Sequence, residues 1–283
     1  FKHEQSAILE FMQKVYAPTE GDRRKLRYLY KQGGIQTRYS VVPDYSLPAG
    51  EWTFYPASEN LEPFPKIEKR MEWFDNEAAP LSITAIQNCL QEVEEKNITH
   101  LITVSCTGMS APGLDLQILE ALDLPITTVR SNVTFMGCYA AIHAMRIADA
   151  FCKADKHANV LVVCTELCTL HFQNQPTIDN ITSSMLFSDG SAAMLVSGDD
   201  TKQGISIGSF YTSVNLKGKK DMAWQVSSKG FVMNLSSYVP DLIEEDFQQL
   251  VNEALKQTGH SKETVEQWCI HPGGKRILDA VHN

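Results

Sequence analysis

Apolar residues recur at helical spacing in three segments of the amino-terminal part of the chain. The spacing predicts helices over residues 3–16 and about 22–32, and a third over about 78–95 after an irregular stretch. From residue 100 onward the pattern changes to short apolar runs that alternate with amphipathic segments. A change of this kind indicates that a sheet begins there.

The middle of the chain alternates between predicted strands and predicted helices. We expect strands at 100–106, 126–132 and 158–166, separated by a helix at 113–122 and a long helix that begins near Cys138. The run at 158–166 is continuously apolar, as strands covered on both faces are. This βαβαβ order predicts a parallel or mixed sheet with helices on both of its faces.

The carboxyl-terminal part continues the alternation less regularly. Strands are predicted over 190–198 and 204–213, then a helix over 240–258 that Pro240 starts, and a short strand within 265–274. The segment GKRILDAVH begins one more helix. Because this helix has no cap and no strand after it, and the chain does not begin with methionine, we expect the sequence to lack its first strand and its carboxyl-terminal segment.

Composition and charge limit the classes of function. The 283 residues are 43% hydrophobic and 21% charged, which suits one globular domain or two halves that share a core. The net charge of −9 argues against nucleic acid as a partner. No apolar run reaches the length of a membrane span, and the first residues do not resemble a signal peptide. We therefore expect a cytoplasmic protein that does not bind membranes.

The seven cysteines are scattered through apolar segments. Their odd number and their positions predict reduced thiols rather than a disulfide framework. The segment CTELCTLHF brings Cys164, Cys168 and His171 close together in sequence. No second cysteine pair at zinc-site spacing accompanies them, so the sequence predicts no metal site.

Cys138 and His271 are the candidate reactive pair. Cys138 follows Gly137 in SNVTFMGCYAAIHAMRIADAF, where the unpaired N–H groups at a helix start would stabilise a thiolate. The alternative is a structural, buried cysteine. His271 precedes a Gly-Gly turn and could act as the base that keeps the thiol ionised. Their separation also permits a papain-like protease, but the position of Cys138 in mid-chain makes that interpretation weak.

A basic stretch, DRRKLRYLYK, lies in the second predicted helix. A run of charges in a helix usually forms a solvated face. The alternative is that this stretch binds phosphate groups at the entrance of a ligand site. An anionic ligand of this acidic chain would need such a local basic patch.

Five segments, taken in order, resemble the type III polyketide synthases, the chalcone synthase family. They are VSCTGMSAPGLDLQIL, FMGCYAAIHAMRIAD, VLVVCTELCTLHF, SSMLFSDGSAAMLV and IHPGGKRILDAV. The resemblance implies an α/β, thiolase-like fold with an αβαβα layered core made of two related halves with mixed sheets. Residues 1–198 would form the amino-terminal half with the nucleophile helix, and 199–283 the start of the carboxyl-terminal half. It also implies a homodimer.

The resemblance further implies a reaction. Members of this family load an acyl group from coenzyme A onto a cysteine and extend it by decarboxylative Claisen condensation with malonyl-CoA, without a cofactor besides these thioester substrates. By motif, Cys138 corresponds to the nucleophile, His271 to the catalytic histidine, and Phe187 to the phenylalanine between the CoA tunnel and the cavity. The family's catalytic asparagine would lie beyond this chain, and Asn283 is too near His271 to replace it.

The resemblance also implies substrate contacts. The positions concerned are Cys106, His171, Met233, Lys25, Arg27, Lys275 and Arg276. Met233 replaces a phenylalanine of the plant enzymes, and His171 and Cys106 replace threonines, so we expect a cavity that is not shaped for a coumaroyl starter. These changes could also be neutral core substitutions. Lys25, with Arg27 beside it, takes the place of a lysine that binds CoA phosphate.

Two other classes of function remain open. A ketoacyl synthase III or a hydroxymethylglutaryl-CoA synthase type of enzyme would keep the fold, the cysteine and the histidine, but would catalyse a different condensation. A dimeric scaffold without enzymatic activity would leave Cys138 as a merely buried thiol. The type III polyketide synthase is the hypothesis that the five motifs favour.

Overall fold

The structure is a computed structural model that describes residues 1–91, 93–236 and 238–282. Asn283, weighed above as a catalytic asparagine, lies outside the described residues. The amino-terminal part consists of β1 (Lys2–Glu4), α1 (Gln5–Tyr16), α2 (Glu20–Gln32), β2 (Thr37–Tyr39) and α3 (Ile67–Cys89). β1 and β2 pair as a small antiparallel sheet. The two predicted amino-terminal helices are confirmed.

A four-stranded mixed sheet forms the centre of the protein. In chain order its elements are β3 (His100–Ser105), α4 (Leu114–Ala121), β4 (Val129–Thr134), α5 (Ala140–Ala154), β5 (Asn159–Leu167) and, further on, β6 (Asp189–Ser197). The strand order is β4-β3-β5-β6. β3 runs parallel to both β4 and β5, whereas β6 is antiparallel to β5. The predicted mixed sheet is confirmed.

Alternate residues of the central strands enter two separate cores. Leu101, Leu161 and Val163 belong to the core beneath α3 and α4. Ile102 and Val162 belong to the core beneath α5. Side chains alternate between the faces of a strand, so a continuously apolar strand is covered on both faces. The prediction of helices on both sides is therefore confirmed.

Helix α3 differs from its prediction because its buried face includes polar residues. It begins eleven positions earlier than expected, at Ile67, and continues through Pro80. Arg70, Phe74 and Ser82 lie on the face that packs against the sheet, and each is at most 3% exposed. An arginine and a serine do not enter an apolar pattern, and the first half of the helix was therefore predicted as irregular.

The structure contains a helix and a hairpin that the apolar pattern does not predict. The helix is α6 (Ile178–Leu186), and the hairpin is formed by β7 (Met222–Ser227) and β8 (Gly230–Leu235). The side chain of Thr177 accepts a hydrogen bond from the backbone N–H of Asn180 at 3.2 Å and so caps α6. A threonine at this position before an apolar segment is a helix-start signal that could have predicted α6.

Two predicted strands near the carboxyl end are wrong. Residues 204–213 and 265–274 form no strand. A strand needs a neighbour to satisfy its backbone hydrogen bonds, and no described strand pairs with either segment. The two helices predicted in this part are confirmed as α7 (Val239–Thr258) and α8 (Lys275–His282). Among the helices described, none combines the length and the apolar composition that a membrane span requires.

Candidate active site

A tight turn between β4 and α5 presents Cys138. The turn is a short 3-10 helix, Gly137–Tyr139, that runs directly into α5. Gly137 has φ +67°, which glycine adopts without steric cost, and Phe135 is also left-handed, at φ 54°. Cys138 as a whole is exposed. The turn therefore places Cys138 at the surface of the protein, at the start of α5.

The carboxylate of Glu166 lies beside this turn and connects the ends of β3 and β5. Its two oxygens accept hydrogen bonds from the backbone N–H of Cys106 at 2.9 and 3.0 Å. The hydroxyl of Thr107 donates to it at 2.6 Å. Burial raises the pKa of Glu166, and these hydrogen bonds oppose the rise. Because β3 and β5 are parallel neighbours, their carboxyl ends meet, which brings the residues together.

Cys106 contacts three parts of the site. Its Sγ accepts a hydrogen bond from the backbone N–H of Gly137 at 3.3 Å. Its carbonyl oxygen accepts one from Nε1 of Trp224 in β7 at 2.6 Å. Burial, followed by the charge of Glu166, raises the pKa of the Cys106 thiol. Cys106 thus links the turn of Cys138, the buried carboxylate and the hairpin.

The pKa of Cys138 differs from the expectation. Burial of the sulfur raises this pKa most, and the charge of Glu166 raises it further, while the hydrogen bond from the residue's own backbone N–H lowers it. The backbone N–H at the helix start thus lowers the pKa of the Cys138 thiol in the predicted direction, but burial and the charge of Glu166 outweigh it. The sequence gave no sign that a buried carboxylate would stand beside the thiol.

His271 is not joined to Cys138 in the structure. Its side chain is exposed, and within the described residues no hydrogen bond connects the two side chains. The backbone N–H of Gly273 donates to the carbonyl of His271 at 2.9 Å, which forms the turn at HPGG. The catalytic pairing of His271 with Cys138 stays a prediction.

Three of the predicted site residues lie on the wall of one cavity. His171, Phe187 and Met233 line a space of about 40 Å³ together with Trp224 and Phe231. Phe187 directly follows α6, and Met233 lies in β8 opposite Trp224. The sequence analysis assigned no role to Trp224, because the hairpin that carries it was missed.

His171 is a neutral residue that joins two walls of the cavity. Its Nε2 lies 2.7 Å from the carbonyl oxygen of Thr107, and its Nδ1 lies 3.0 Å from the backbone N–H of Phe231. Burial lowers the pKa of His171 to about 3. The imidazole therefore donates through Nε2–H and accepts at Nδ1. Both nitrogens are used within the protein, so the residue presents a ring surface to the cavity instead of a polar group.

The segment CTELCTLHF does not form a metal centre. Cys168 lines the cavity, whereas Cys164 packs against the core beneath α5. Burial raises the pKa of Cys164 to about 11, which favours the thiol over the thiolate that a metal needs. Across the part of the chain that the structure describes, no group of three or more His, Cys, Asp or Glu side chains is placed to hold a metal ion.

The basic residues predicted to bind CoA lie on the surface, where each pairs with a carboxylate. The pairs are Lys25 with Asp22 at 3.8 Å, Arg27 with Glu20 at 2.7 Å, Lys275 with Asp279 at 2.6 Å and Arg276 with Asp241 at 3.1 Å. Exposed ion pairs of this kind are weak and exchange readily for other anions. Their role toward a ligand stays a prediction.

Glu166 is a residue of the site to which the sequence assigned no role. It is the first charged residue after the apolar run of β5, in VLVVCTE. A carboxylate at the carboxyl end of a buried strand is a signal that could have been used, because ligands of α/β sheets bind at that edge. The contact of Glu166 with Cys106 arises because β3 and β5 are neighbours in the sheet, and the position of a carboxylate at a strand end does not reveal which strands are neighbours.

Nearly the whole chain matches two protein-family descriptions. Residues 4–200 match "Chalcone and stilbene synthases, N-terminal domain", and residues 212–283 match "Chalcone and stilbene synthases, C-terminal domain". Together the two matches leave only the first three residues and a short stretch between them uncovered.

Individual proteins show the same similarity. The chain is 26% identical to "Probable polyketide synthase 1" of Dictyostelium discoideum over 99% of its own length and 9% of the relative's. It is 27% identical to "Alpha-pyrone synthesis polyketide synthase-like Pks18" of Mycobacterium tuberculosis, over 92% of its own length and 66% of that protein. The chain thus spans less than two thirds of either relative.

A solved structure extends the similarity to the fold. The crystal structure of PKS-I from the brown alga Ectocarpus siliculosus superposes with a TM-score of 0.89 at 26% identity. The alignment covers 100% of this chain and 76% of that one. The expected thiolase-like α/β fold is confirmed by this match.

Proposed function

Because the chain belongs to the chalcone and stilbene synthase family, we propose that it acts as a type III polyketide synthase. It takes an acyl group from coenzyme A onto Cys138 and extends it with malonyl-CoA. The observation that carries the proposal is the position of Cys138, an exposed residue on a tight turn at the carboxyl edge of the sheet. A cavity lined by His171, Phe187 and Met233, three residues that the family resemblance assigns to the site, supports the proposal.

Acyl transfer begins when the Cys138 sulfur attacks the thioester carbonyl. A new C–S bond forms to Cys138, the bond to coenzyme A breaks, and the coenzyme leaves as its thiol after taking up a proton. The thiol proton of Cys138 has to leave first, because burial and Glu166 raise its pKa. His271 is the residue that takes this proton in the proposed reaction, which requires it to approach Cys138.

Extension then forms a carbon–carbon bond. Malonyl-CoA loses CO₂, and the electron pair left on its α-carbon attacks the acyl carbonyl on Cys138. The Cys138 sulfur leaves, and the chain, longer by two carbons, is carried by the coenzyme A of the extender. Donors placed at the thioester oxygen stabilise the enolate in this step. In the proposed reaction His271 is one of these donors.

A homodimer is part of the proposal. β4 is the edge strand of the central sheet, and no described strand pairs with its outer side. Apolar side chains surround this edge: Ile126 is 94% exposed, Val129 49% and Ile142 45%. An unpaired edge with exposed apolar residues favours association with a second chain. A second copy that pairs at β4 would cover it.

The test is intact-mass analysis of the protein after incubation with a panel of acyl-CoA thioesters, followed by peptide mapping. We expect an acyl adduct on the peptide that contains Cys138. The adduct should be absent from Cys138→Ala and present in Cys269→Ala, which removes another exposed thiol. Failure of every thioester to acylate the folded protein would contradict the proposal and favour the scaffold.

A second measurement separates the proposed reaction from that of a ketoacyl synthase III. The acylated protein is supplied with malonyl-CoA alone, and the products are analysed by mass spectrometry. Repeated extension without an acyl carrier protein is expected. A strict requirement for malonyl groups on a carrier protein would favour the ketoacyl synthase.

A further inference from the structure

The indole of Trp224 is tied to the backbone at the end of β3. Its Nε1–H donates to the carbonyl oxygen of Cys106 at 2.6 Å. Cys106 directly follows β3, and the paired residues of β3 end at Ser105, so the sheet does not hold this carbonyl. An indole N–H that is withdrawn from water usually finds a partner of this kind. The hydrogen bond therefore joins the hairpin to the loop after β3.

The peptide unit between Cys106 and Thr107 is held at both of its polar groups. Its carbonyl oxygen accepts from Trp224, and its N–H, which is that of Thr107, donates to Oγ of Ser105 at 3.2 Å. The preceding N–H, that of Cys106, donates to the carboxylate of Glu166 at 2.9 Å. Because a peptide unit is planar, these contacts fix the orientation of the backbone on both sides of the Cys106 Cα.

A fixed backbone places the sulfur of Cys106. One side-chain torsion with three staggered positions leads from the backbone to this atom. In the structure the sulfur accepts a hydrogen bond from the backbone N–H of Gly137 at 3.3 Å. Gly137 is the first residue of the turn and directly precedes Cys138. Two hydrogen bonds thus connect Trp224, through Cys106, to the residue before Cys138.

Aromatic rings around Trp224 fix the direction of its N–H. The ring centroid of His171 lies 5.6 Å from that of the indole at an angle of 82°, and the centroid of Phe231 lies 6.0 Å away at 81°. His171 and Phe231 stack on each other with their centroids 4.3 Å apart. Edge-to-face contacts of this kind are favourable. The indole therefore cannot turn away from Cys106 without losing both edge contacts.

His171 attaches the same hairpin to the next carbonyl along the loop. Its Nε2–H donates to the carbonyl oxygen of Thr107 at 2.7 Å, and its Nδ1 accepts from the backbone N–H of Phe231 in β8 at 3.0 Å. The hairpin thus holds two successive carbonyls after β3. Of these two contacts, that of Trp224 is made to Cys106, the residue that reaches the turn of Cys138.

The contact between Cys106 and Gly137 depends on this support. Sulfur is a weak hydrogen-bond acceptor, so the contact persists only while the sulfur is held in place. Loss of the indole donor would free the Cys106 carbonyl and let its peptide unit rotate. The sulfur would then move away from the Gly137 N–H, and the turn of Cys138 would lose this restraint.

We propose that Trp224 is a positioning residue for Cys138. By holding the Cys106 carbonyl, its indole N–H keeps the Cys106 sulfur against Gly137 and so fixes the turn that presents Cys138. It acts through Cys106 and touches no reacting atom. The inference deepens the proposed function, and it rests on that function where it concerns acyl transfer, because the function makes Cys138 the nucleophile.

Two replacements at position 224 remove the N–H. Trp224→Phe keeps a ring on the cavity wall, but a smaller one. Benzothienylalanine has the shape of tryptophan with a sulfur atom in place of the N–H, so its incorporation at position 224 removes the donor and leaves the packing. Trp268→Phe is the matched control, because Trp268 is 50% exposed and takes no part in these hydrogen bonds.

The first measurement is the rate of acyl transfer to Cys138, followed by intact mass over a range of thioester concentrations. The thioester is the one that acylates the wild-type protein fastest in the panel described above. Both replacements should lower the rate at saturation about tenfold, because a lost hydrogen bond and a misplaced reacting group have effects of at least this size. The half-saturating concentration should stay unchanged, since the partner of the donor is the protein backbone. Trp268→Phe should match the wild type in both quantities.

The second measurement needs no thioester. The rate of iodoacetamide alkylation at Cys138 is followed at pH 8 by peptide mass spectrometry, with the exposed Cys269 as the internal reference. Both replacements should raise the rate at Cys138, because a loosened turn exposes more of the sulfur. The expected rise is at least about twofold, which corresponds to the smallest usual net contribution of a hydrogen bond.

The outcomes separate the positioning role from the function on which it rests. If the benzothienylalanine protein transfers acyl groups at the wild-type rate and only Trp224→Phe is slower, the proposal is overturned and Trp224 is only a part of the cavity wall. If no thioester acylates the wild-type protein, the proposed function is overturned, and the alkylation rates alone decide on Trp224. Equal alkylation of Cys138 in the wild type and both replacements would then overturn the positioning role as well.

Discussion

The backbone N–H of Cys106 lies 2.9 and 3.0 Å from the two carboxylate oxygens of Glu166. This contact holds a buried acid at the edge of the sheet where Cys138 is presented. Burial raises the pKa of the Cys138 thiol most, and the charge of this acid raises it further. Both effects favour the thiol form of Cys138 over the thiolate.

The first prediction concerns the reactivity of Cys138. Glu166→Gln removes a negative charge beside the thiol, so the pKa of Cys138 should fall and a larger thiolate fraction should exist at neutral pH. At a pH below the pKa of the thiol, each unit by which that pKa falls raises the thiolate fraction, and with it the rate of alkylation, about tenfold. The lower basicity of the thiolate reduces its nucleophilicity and offsets part of this gain. The measurement is the rate of iodoacetamide alkylation at Cys138 between pH 6 and pH 10, followed by peptide mass spectrometry.

Cys269 provides the internal reference for this experiment. It is exposed and distant in sequence from Glu166, and its alkylation rate should be the same in both proteins. An unchanged or slower reaction at Cys138 in Glu166→Gln would show that the carboxylate does not control the thiol.

The second prediction concerns stability in acid. The pKa of His171 is about 3 in the folded protein, against an ordinary value of 6.5. The unfolded chain therefore binds the proton first, and the contribution of His171 to stability is complete above about pH 6.5 and decreases as the pH falls toward 3. Between these two pKa values, protonation of this residue lowers the free energy of unfolding by up to about 1.4 kcal/mol for each pH unit of acidification.

Urea unfolding at pH 4, 5, 6 and 7 measures this contribution. His171→Gln should be less stable than the wild type at pH 7, because two hydrogen bonds of the imidazole are disturbed. The difference in free energy of unfolding should shrink as the pH falls, since only the wild type has the buried histidine. His260→Gln, at an exposed position, should show no such trend. A difference that is constant with pH would contradict the assignment.

The parts of the fold that local patterns specify were predicted from the sequence. The apolar run of β5 predicts a strand covered on both faces, and the small residues of α5, Ala144 and Ala148, predict a helix packed closely on the sheet; both are 0% exposed. The strands of the missed hairpin have six residues each, against nine in β5, and the two-residue connection between them, 228–229, carries no strong turn signal. Its position depends on contacts such as that of Trp224 with Cys106, which are remote in sequence.

The sequence predicted which residues belong to the candidate site, but not how they are arranged or how their pKa values shift. Motif resemblance identified Cys138, His171, Phe187 and Met233, and the structure brings the last three to one cavity. The direction of the pKa shift of Cys138 was not predictable from the sequence, because it depends on burial and on Glu166, which lies twenty-eight positions away in β5. The burial of Arg38 was also not predictable, because a lone arginine in TRYS carries no sign of burial.

The third prediction concerns the turn of the hairpin. Gly230 has φ +106°, and a Cβ at this position would lie 2.7 Å from Cδ and 2.8 Å from Nε of the fully buried Arg70. Gly230→Ala should therefore destabilise the protein, by about 2–4 kcal/mol, through backbone strain and the clash. Gly190→Ala is the control, since a Cβ there meets nothing within 4 Å. Equal unfolding midpoints in urea for the two variants would contradict the geometry.

The last prediction concerns product size and rests on the proposed function. Met233 lies on the cavity wall with His171 and Phe187, and its flexible thioether can move aside for a growing chain. Met233→Phe puts a stiff ring in its place. Overpacking of such a wall costs about 1–3 kcal/mol, so the yield of the longest products should decrease about tenfold relative to the yield of the shortest. Met222→Phe, on the other strand of the hairpin and 46% exposed, is the matched control and should leave the product distribution unchanged. The measurement is the distribution of product masses after incubation with one acyl-CoA and malonyl-CoA. An identical distribution for Met233→Phe and the wild type would show that Met233 does not limit the length of the product.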